Sequence, residues 1–277
     1  HRNYFATVGL LMMVPLALQR TLKPEVRRVS LLLLAGYLGL LGFVTHVRAL
    51  QWSNHVDWVA LEAANHPNSA RATYELARVY MILREQTGEA RFGDLADQSL
   101  VQSTQAYKPG VLPFMARIQL AYFRGLEPDP TLTGQVIDAL KKWPYYNLNT
   151  AMLSSMVTCQ VENKCRLPDS TALEILDAAQ ANPAISTYDR AEVIKLEAQY
   201  RINKYNELEK GAELVRQAIV VSDQASSRIM YAQALAMQGQ YNEALGQLAN
   251  AATLDAEGIY RRRVVREREA IGAAKDH

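Results

Sequence analysis

The two cysteines are the residues of this sequence with the most specific chemistry. Cys159 and Cys165 lie in TCQVENKCRLP with five residues between them, which is not the C-x-x-C spacing of a redox or zinc site. No histidine lies near them in sequence to complete a metal site. We therefore expect a local disulfide that pins one turn between helices, and two unpaired core thiols are the alternative.

Motifs of nucleophilic, metal-dependent or nucleotide-binding enzymes are missing from the sequence. It contains no G-x-S-x-G, H-E-x-x-H, P-loop or G-x-G-x-x-G. Acid pairs such as Glu207 with Glu209 are interpreted as solvated charges on helix surfaces. The sequence predicts no catalytic residue, no metal site and no cofactor in these 277 residues.

The overall composition of the chain indicates a folded protein with a large apolar core. It has 49% hydrophobic residues, 14 Gly and 10 Pro, which is too apolar for a disordered protein. The formal charge of +2 is close to balanced, and no basic stripe with interleaved aromatics is visible. Nucleic acid is not an expected partner.

The stretch from Val29 to Val47 is long and apolar enough to cross a membrane. Its nineteen residues carry no acid, lysine or arginine, and about 28 Å of helix matches the hydrocarbon core. Each central leucine favours insertion by about 0.5 kcal/mol, so its seven leucines outweigh the cost of its three glycines. We expect a transmembrane helix here rather than a buried helix of a soluble protein.

A shorter apolar run, Tyr4 to Leu18, precedes this stretch and contains Pro15. Alone it is ambiguous, because fifteen residues reach only about 22 Å. A secretory signal peptide is the alternative, but the run ends in QRTLKPEVRR rather than in a small-residue cleavage site. We predict a helical hairpin with spans at about 4–19 and 29–47.

Charges and aromatic rings around the two spans predict their orientation. The basic residues of the intervening loop exceed its single acid, as in cytoplasmic loops, and they are Arg20, Lys23, Arg27 and Arg28. Both outer ends then face away from the cytoplasm. The residues predicted at the lipid interface are His1, Arg2, Tyr4, Arg48, Trp52 and Trp58. For Trp58, a core position on an amphipathic helix is the alternative.

After Asn65, short helical segments alternate with turns that contain Pro or Gly, and the clearest unit is SSRIMYAQALAMQGQYNEALGQLANAATLDA at 226–256. This unit resembles a tetratricopeptide repeat. The matching positions are Ala232, Leu235, Gly239, Tyr241, Ala244, Leu248 and Ala251. The alanines let two helices approach, the glycine permits the turn, and the larger residues fill the gap to the next pair.

One such pair cannot bury its own apolar face, and looser copies begin near His66, Leu112, Asn149 and Arg190. We predict an all-α fold. Residues 1–50 form the transmembrane hairpin, and residues 51–277 form a tetratricopeptide-like α-solenoid of about five helix pairs with a C-terminal capping helix. The arginines of that last helix are predicted on a solvated face, with a lipid-headgroup or acidic-partner patch as the alternative.

In a solenoid the first helix of each pair lines a concave groove, which is the expected site for a protein or peptide partner. The predicted groove residues are Arg71, Tyr74, Arg78, Ile229 and Gln233. Simple surface exposure is the alternative for each of them.

The whole layout resembles the end of polytopic protein O-mannosyltransferase-like membrane proteins that carry C-terminal tetratricopeptide repeats. The resemblance rests on HRNYFATVGLL and on THVRALQWSNHVDWVALEAANHPNSARATYELARVY. The matching positions are His1, Arg2, Asn3 and Tyr4, where the family has a charged-then-Tyr motif, and Arg48 and Trp52, where it has an R-x-x-x-W step. The resemblance implies a glycosyltransferase that uses a lipid-linked sugar, with catalytic acids in earlier loops outside these residues. It places Arg2 near a lipid phosphate, and interfacial anchoring is the alternative.

Three functions are therefore considered. The first is the C-terminal membrane and repeat portion of an inner-membrane glycosyltransferase, whose repeats bind an acceptor protein or partner. The second is a non-enzymatic membrane-anchored scaffold of an envelope or polysaccharide-export complex, and the third is the end of a surface-polysaccharide polymerase or ligase. Membrane lipid and a lipid-linked sugar are the other expected partners. The expected location is a bacterial inner membrane with the repeats in the periplasm.

Overall fold

The computed structural model describes Met13 and residues 23–275, and these residues are all-helical, without a strand. Thirteen helices are found in the described part. In chain order they are α1 (Pro24–Ser53), α2 (His55–Asn65), α3 (Ala70–Thr87), α4 (Ala90–Gln105), α5 (Leu112–Phe123), α6 (Thr131–Lys142), α7 (Asn147–Val161), α8 (Asp169–Gln180), α9 (Thr187–Tyr205), α10 (Leu208–Val221), α11 (Ala225–Met237), α12 (Tyr241–Leu254) and α13 (Arg261–Lys275).

Helix α1 carries the apolar stretch and exposes it. Its segment Arg28–Ser53 has a mean hydropathy of 1.8, and none of that window is buried against the described chain. Leu32, Leu33 and Phe43 are 74%, 71% and 65% exposed. By length and composition, α1 is the one helix of the described residues that could cross a membrane.

The bounds of α1 correct two sequence expectations. The helix begins at Pro24, so Arg27 and Arg28 lie in its first turns and not in a loop. Proline is favoured at the first helical position, and the residues after it are good helix formers. The helix also continues past residue 47 to Ser53, so Arg48 and Trp52 belong to it. The first predicted span lies outside the described residues apart from Met13, as does Arg20.

The chain divides into two compact units, one through Glu62 and one from Ala63. In the second unit, all the substantial helix contacts join helices that are one or two positions apart in the sequence. The closest pairs are α3 with α4, α9 with α10, and α11 with α12. Packing in this unit is therefore local along the chain.

The apolar core of the second unit is built in successive clusters. One joins α3, α4 and α5 through residues that include Ala77, Leu100 and Leu120. A larger one runs from α5 to α9, and another joins α11, α12 and α13 around Leu248. Because each large cluster needs at least three consecutive helices, no single pair buries its apolar face alone.

Helix ends are marked by ordinary capping chemistry. The Ser69 hydroxyl accepts a hydrogen bond from the Ala72 amide at 3.3 Å, and the Ser186 hydroxyl accepts one from the Asp189 amide at 3.0 Å. Helix α3 ends at Gly88, whose φ of +73° is the left-handed conformation typical of a C-terminal cap. These signals account for both ends of α3 and for the start of α9.

Helix α9 holds buried polar groups that connect it to its neighbours. Lys195 lies 2.7 Å from Glu192 and donates to the Ser226 hydroxyl of α11 at 2.8 Å. Burial lowers the pKa of Lys195, and the nearby Glu192 opposes that shift. Glu197 bonds Arg201 at 2.8 Å within α9. The charged groups of Lys195 and Glu197 have hydrogen-bond partners although they are buried. The bond from Lys195 to Ser226 fixes the position of α9 along α11.

The connection between α7 and α8 contains the disulfide expected from the sequence. Cys159 and Cys165 are bonded, with their Cα atoms 5.3 Å apart, and both side chains are buried. Closing so short a loop contributes about 2 kcal/mol in the chain-entropy model. Direct contact between α7 and α8 is sparse, and these helices pack mainly on α9 and α6 respectively. The disulfide therefore closes the loop between α7 and α8, two helices that make little direct contact with each other.

Two glycines allow a matched test of the close approach of α9 and α10. A Cβ atom on Gly211 would lie 2.3 Å from Cγ1 of Ile202, whereas a Cβ on Gly246 would meet nothing within 4 Å. We expect Gly211→Ala to lower the free energy of unfolding by about 1 to 3 kcal/mol through overpacking. The control Gly246→Ala should raise it by about 0.5 to 1 kcal/mol through helix propensity. Urea denaturation measures both, and equal effects of the two substitutions would contradict the packing.

Candidate functional site

A recess of the second unit lies where three helices begin. A cleft of about 920 Å³ is lined from residues 70–75 at the start of α3, 108–113 at the start of α5, and 142–149 at the start of α7. We call it the α3–α5–α7 cleft. The starts of α3, α5 and α7 and the segments that precede them therefore meet at one edge of the unit.

Helix starts give this cleft a positive potential. The first amides of a helix have no partner within the helix, and the helix dipole places partial positive charge at that end. At α5 the second residue, Pro113, has no amide hydrogen, and at α7 the backbone amide of Asn149 bonds the Tyr146 carbonyl at 2.8 Å. An anion in this cleft would therefore be attracted mainly by the positive ends of the helix dipoles.

Three cations without carboxylate partners add to this potential. Arg71, Lys108 and Lys142 line the cleft, and none of them forms an ion pair with a described residue. Each lysine instead lies over an aromatic ring, Lys108 at 5.2 Å from the centre of Tyr107 and Lys142 at 5.0 Å from that of Trp143. The ammonium groups remain available for an anion.

A buried amide forms part of the cleft surface. Asn149 is only 4% exposed, yet within the described part of the chain its side chain has no hydrogen-bond partner. The polar atoms of Asn149 are not among the fully buried unpaired atoms of the described residues, so the amide is open to the cleft. A ligand that both donates and accepts a hydrogen bond would satisfy this group.

Hydrogen bonds between residues distant in sequence hold the backbone next to the cleft in place. The buried hydroxyl of Ser103 donates to the Ala70 carbonyl at 2.6 Å, and Gln102 donates to the Pro67 carbonyl at 2.8 Å. These two bonds fix the start of α3 against α4. The α3 side of the cleft is thus held by one buried and one exposed side chain, both more than thirty positions away in sequence.

The α7 side is held by Asn182, which is 1% exposed. Its amide donates to the carbonyls of Leu140 and Trp143, the latter at 3.0 Å, and its oxygen accepts from the Ala184 amide at 2.8 Å. All the hydrogen-bonding groups of this side chain are therefore used by backbone at the end of α6 and by its own loop.

Two tyrosines near the cleft keep their protons over the physiological range. Burial raises the pKa of Tyr145 to about 12, and its hydroxyl lies 3.0 Å from that of Thr150. Burial also raises the pKa of Tyr74, against the opposing effect of nearby Arg78. Both phenols are therefore neutral hydrogen-bonding groups at neutral pH.

The predicted groove residues do not lie in one place. Arg71 and Tyr74 line the α3–α5–α7 cleft. Arg78, one turn further along α3, lies outside it and is 3.6 Å from Glu75. The cleft thus uses only the first turns of α3.

The prediction for Ile229 is wrong, because this side chain is fully buried in the cluster of α11, α12 and α13. It shares a helix face with Ala225 and Ala232, which are also buried, since residues three and four apart lie on the same side. Gln233 is half-buried, and its side-chain oxygen lies 3.4 Å from Arg263. Neither residue lines the cleft.

The remaining predicted interface residues lie in the first unit or outside the described chain. Arg48 and Trp52 are exposed on α1, Lys23 and Arg28 are exposed at its start, and Trp58 is half-buried beside His55. His1, Arg2 and Tyr4 lie outside the described residues.

The sequence analysis missed most of the cleft. Lys108 stands in KPG, and Lys142, Trp143 and Tyr146 stand in KKWPYYN, two segments that the sequence predicts only as turns between helices. Asn149 follows in α7. The usable signal is a lysine beside an aromatic residue, Lys108 beside Tyr107 and Lys142 beside Trp143, a few residues before α5 and α7.

Groups of metal-binding side chains are not found in the described part of the chain, where no three His, Cys, Asp or Glu residues are placed to hold an ion. Comparisons of the chain with protein-family models, curated proteins and solved structures give no match. The chemistry that the cleft residues support is the binding of an anionic ligand.

Asn182 allows a test of how the cleft is held. We expect Asn182→Ala to lower the free energy of unfolding by about 2 to 3 kcal/mol, because it leaves buried carbonyls of α6 without donors. Asn250→Ala is the matched control, since this exposed asparagine makes no side-chain hydrogen bond in the described chain. It should change stability by less than about 0.5 kcal/mol. Thermal and urea denaturation measure both variants, and equal stabilities would contradict the assigned role.

Proposed function

We propose that this chain is the C-terminal membrane and repeat portion of a glycosyltransferase that takes its sugar from a lipid-linked donor. In this proposal α1 anchors the chain in the bilayer, and the helical unit from Ala63 onward binds an acceptor protein or partner. The observation that carries the binding role is the α3–α5–α7 cleft, where cations without carboxylate partners meet helix starts and an unpaired amide.

The repeat architecture that we propose is tetratricopeptide-like. Ten helices, α3 to α12, follow one another before α13, and α3 with α4, α9 with α10 and α11 with α12 pack as close pairs. In the unit that resembles the repeat, the matched residues Ala232, Ala244, Leu248 and Ala251 are fully buried. Gly239 has a φ of +77°, which suits the turn between the two helices. These observations support the proposal for the last pair most directly.

The sugar-transfer part of the proposal rests on the family resemblance. A transferase of this kind needs its acceptor held close to a membrane-embedded donor, because positioning of both reactants lowers the barrier to transfer. Two features of the chain support this part of the proposal, a helical unit with a cleft and a helix that could cross the membrane. A membrane-anchored scaffold would use the same cleft without the transfer.

We propose a bacterial inner membrane as the location, with the helical unit in the periplasm. The disulfide supports an oxidising compartment, since structural disulfides are rare in the cytosol. The apolar length of α1 supports membrane insertion.

Cysteine labelling tests this orientation. Ala249 is exposed on α12 and Lys23 is exposed before α1. In intact cells with a permeabilised outer membrane, an impermeant maleimide should label Ala249→Cys and leave Lys23→Cys unlabelled until lysis. The native Cys159 and Cys165 should stay unmodified in both without reductant. Labelling of the native pair, or the reverse pattern for the two variants, would contradict the periplasmic location.

Gene deletion tests the transferase function. We expect deletion of the gene that encodes this chain to remove a sugar modification from a set of periplasmic proteins and to accumulate the lipid-linked donor, and complementation should reverse both. Mass spectrometry of tryptic glycopeptides and of extracted lipids measures the two effects. Unchanged glycopeptides together with the loss of an envelope complex would instead favour the scaffold.

A further inference from the structure

We propose that the α3–α5–α7 cleft binds an extended acidic segment of a polypeptide. This inference deepens the proposed function, on which it rests, by assigning the chemistry of the segment that the helical unit holds. It goes beyond a general partner surface because it names the ligand class and the residues that recognise it.

Charge is the first argument for an acidic ligand. The cleft is lined by three cations, Arg71, Lys108 and Lys142, and by one carboxylate, Glu75, so three positive charges minus one negative charge leave a formal charge of +2. Glu75 is itself 3.6 Å from Arg78, which offsets its charge further. Carboxylates that enter the cleft would also face the amides at the helix starts.

The second argument concerns the polypeptide backbone of the ligand. The Asn149 side chain has one acceptor and two donors, and in an extended segment the backbone N–H and C=O of one residue point to the same side. These two backbone groups can therefore form paired hydrogen bonds with the Asn149 amide, which a sulfate or a simple carboxylate cannot do because it has no donor. Because Asn149 is 4% exposed, only a chain that enters the cleft can reach it.

The third argument is the mixture of aromatic and cationic groups at the rim. Tyr146 is 63% exposed and Trp143 is half-buried beneath Lys142. Exposed rings of this kind pack against an apolar side chain between acidic ones. The backbone freedom of these loops is limited by three prolines, Pro109, Pro113 and Pro144. The loops therefore lose little conformational entropy when a ligand binds.

A bilayer surface suits the same cations less well. Anionic headgroups reach side chains that project from a protein, whereas the unpaired amide of Asn149 is recessed. Lipid binding would also leave this amide without a partner. We therefore treat lipid as an outcome of the test and not as the proposed ligand.

Fluorescence anisotropy tests the proposal on the full chain in nanodiscs of neutral phosphatidylcholine. The probe is a short fluorescein-labelled peptide of glutamates around a central pair of leucines, and the matched probes carry glutamine or lysine in place of glutamate. We expect the glutamate peptide to bind at least about tenfold more tightly than either matched peptide, and its binding should weaken as salt is added.

Two lysines of the same helix turn provide the matched variants. Lys142 lines the cleft and Lys141 is exposed outside it. We expect Lys142→Gln to weaken binding of the glutamate peptide about tenfold, and Lys141→Gln to change it by less than about twofold. Asn149→Leu keeps the side-chain volume and should also weaken binding about tenfold. Thermal denaturation confirms that each variant is folded.

Three results would overturn the inference. One is equal binding of the glutamate and glutamine peptides, and another is equal effects of the Lys141 and Lys142 variants. The third is binding of the chain to phosphatidylglycerol vesicles that depends on Lys142 while the peptide does not bind.

If glycopeptides are lost on gene deletion but the glutamate peptide fails to bind, this inference fails and the transferase proposal stands. If the peptide binds as expected and no glycopeptide changes, the transferase proposal fails and the acidic partner belongs to a scaffold.

Discussion

The second unit depends on one constraint, which is that the apolar face of each helix has to be covered by the next helices along the chain. Alanines make this possible at the helix crossings, where Ala77, Ala96 and Ala116 meet in one cluster and Ala232 and Ala244 in another. Small side chains permit close approach, and the resulting contacts join helices only one or two positions apart. Stability is therefore distributed along the chain and does not reside in one central core.

This packing has a direct consequence for the candidate site. Because the helices are stacked in chain order, the starts of α3, α5 and α7 come together at one edge. The loops before α5 and α7 contribute Val111 and Tyr145 to the core. Lys108, Lys142 and Trp143 of the same segments line the cleft. Buried side chains, above all Ser103 and Asn182, hold the backbone of these loops in place. The loops that form the candidate site are therefore held in one conformation by hydrogen bonds from the helices and loops that pack against them.

The middle of the unit departs from simple pairing. Helices α7 and α8 make few direct contacts, and the disulfide between Cys159 and Cys165 closes the loop that joins them. The neighbouring helix α9 compensates through its contacts with both, and it carries buried ion pairs such as Lys195 with Glu192. The cleft lies at the start of α7, so this bonded region supports one of its three sides.

Much of this protein could be predicted from local sequence pattern. The spacing of apolar residues predicted helices throughout, and the spacing of the two cysteines predicted their bond. The leucines of 29–47 predicted a transmembrane helix, and the structure has an apolar helix there that is long enough to cross a membrane. These features depend on residues that are close in sequence. Only the tertiary structure decided that Ile229 is buried and that Lys108, Lys142 and Asn149 share a cleft with Arg71. The physical reason is that this grouping depends on helix crossing angles and on buried polar bonds between residues some forty positions apart, such as Asn182 with the carbonyl of Trp143.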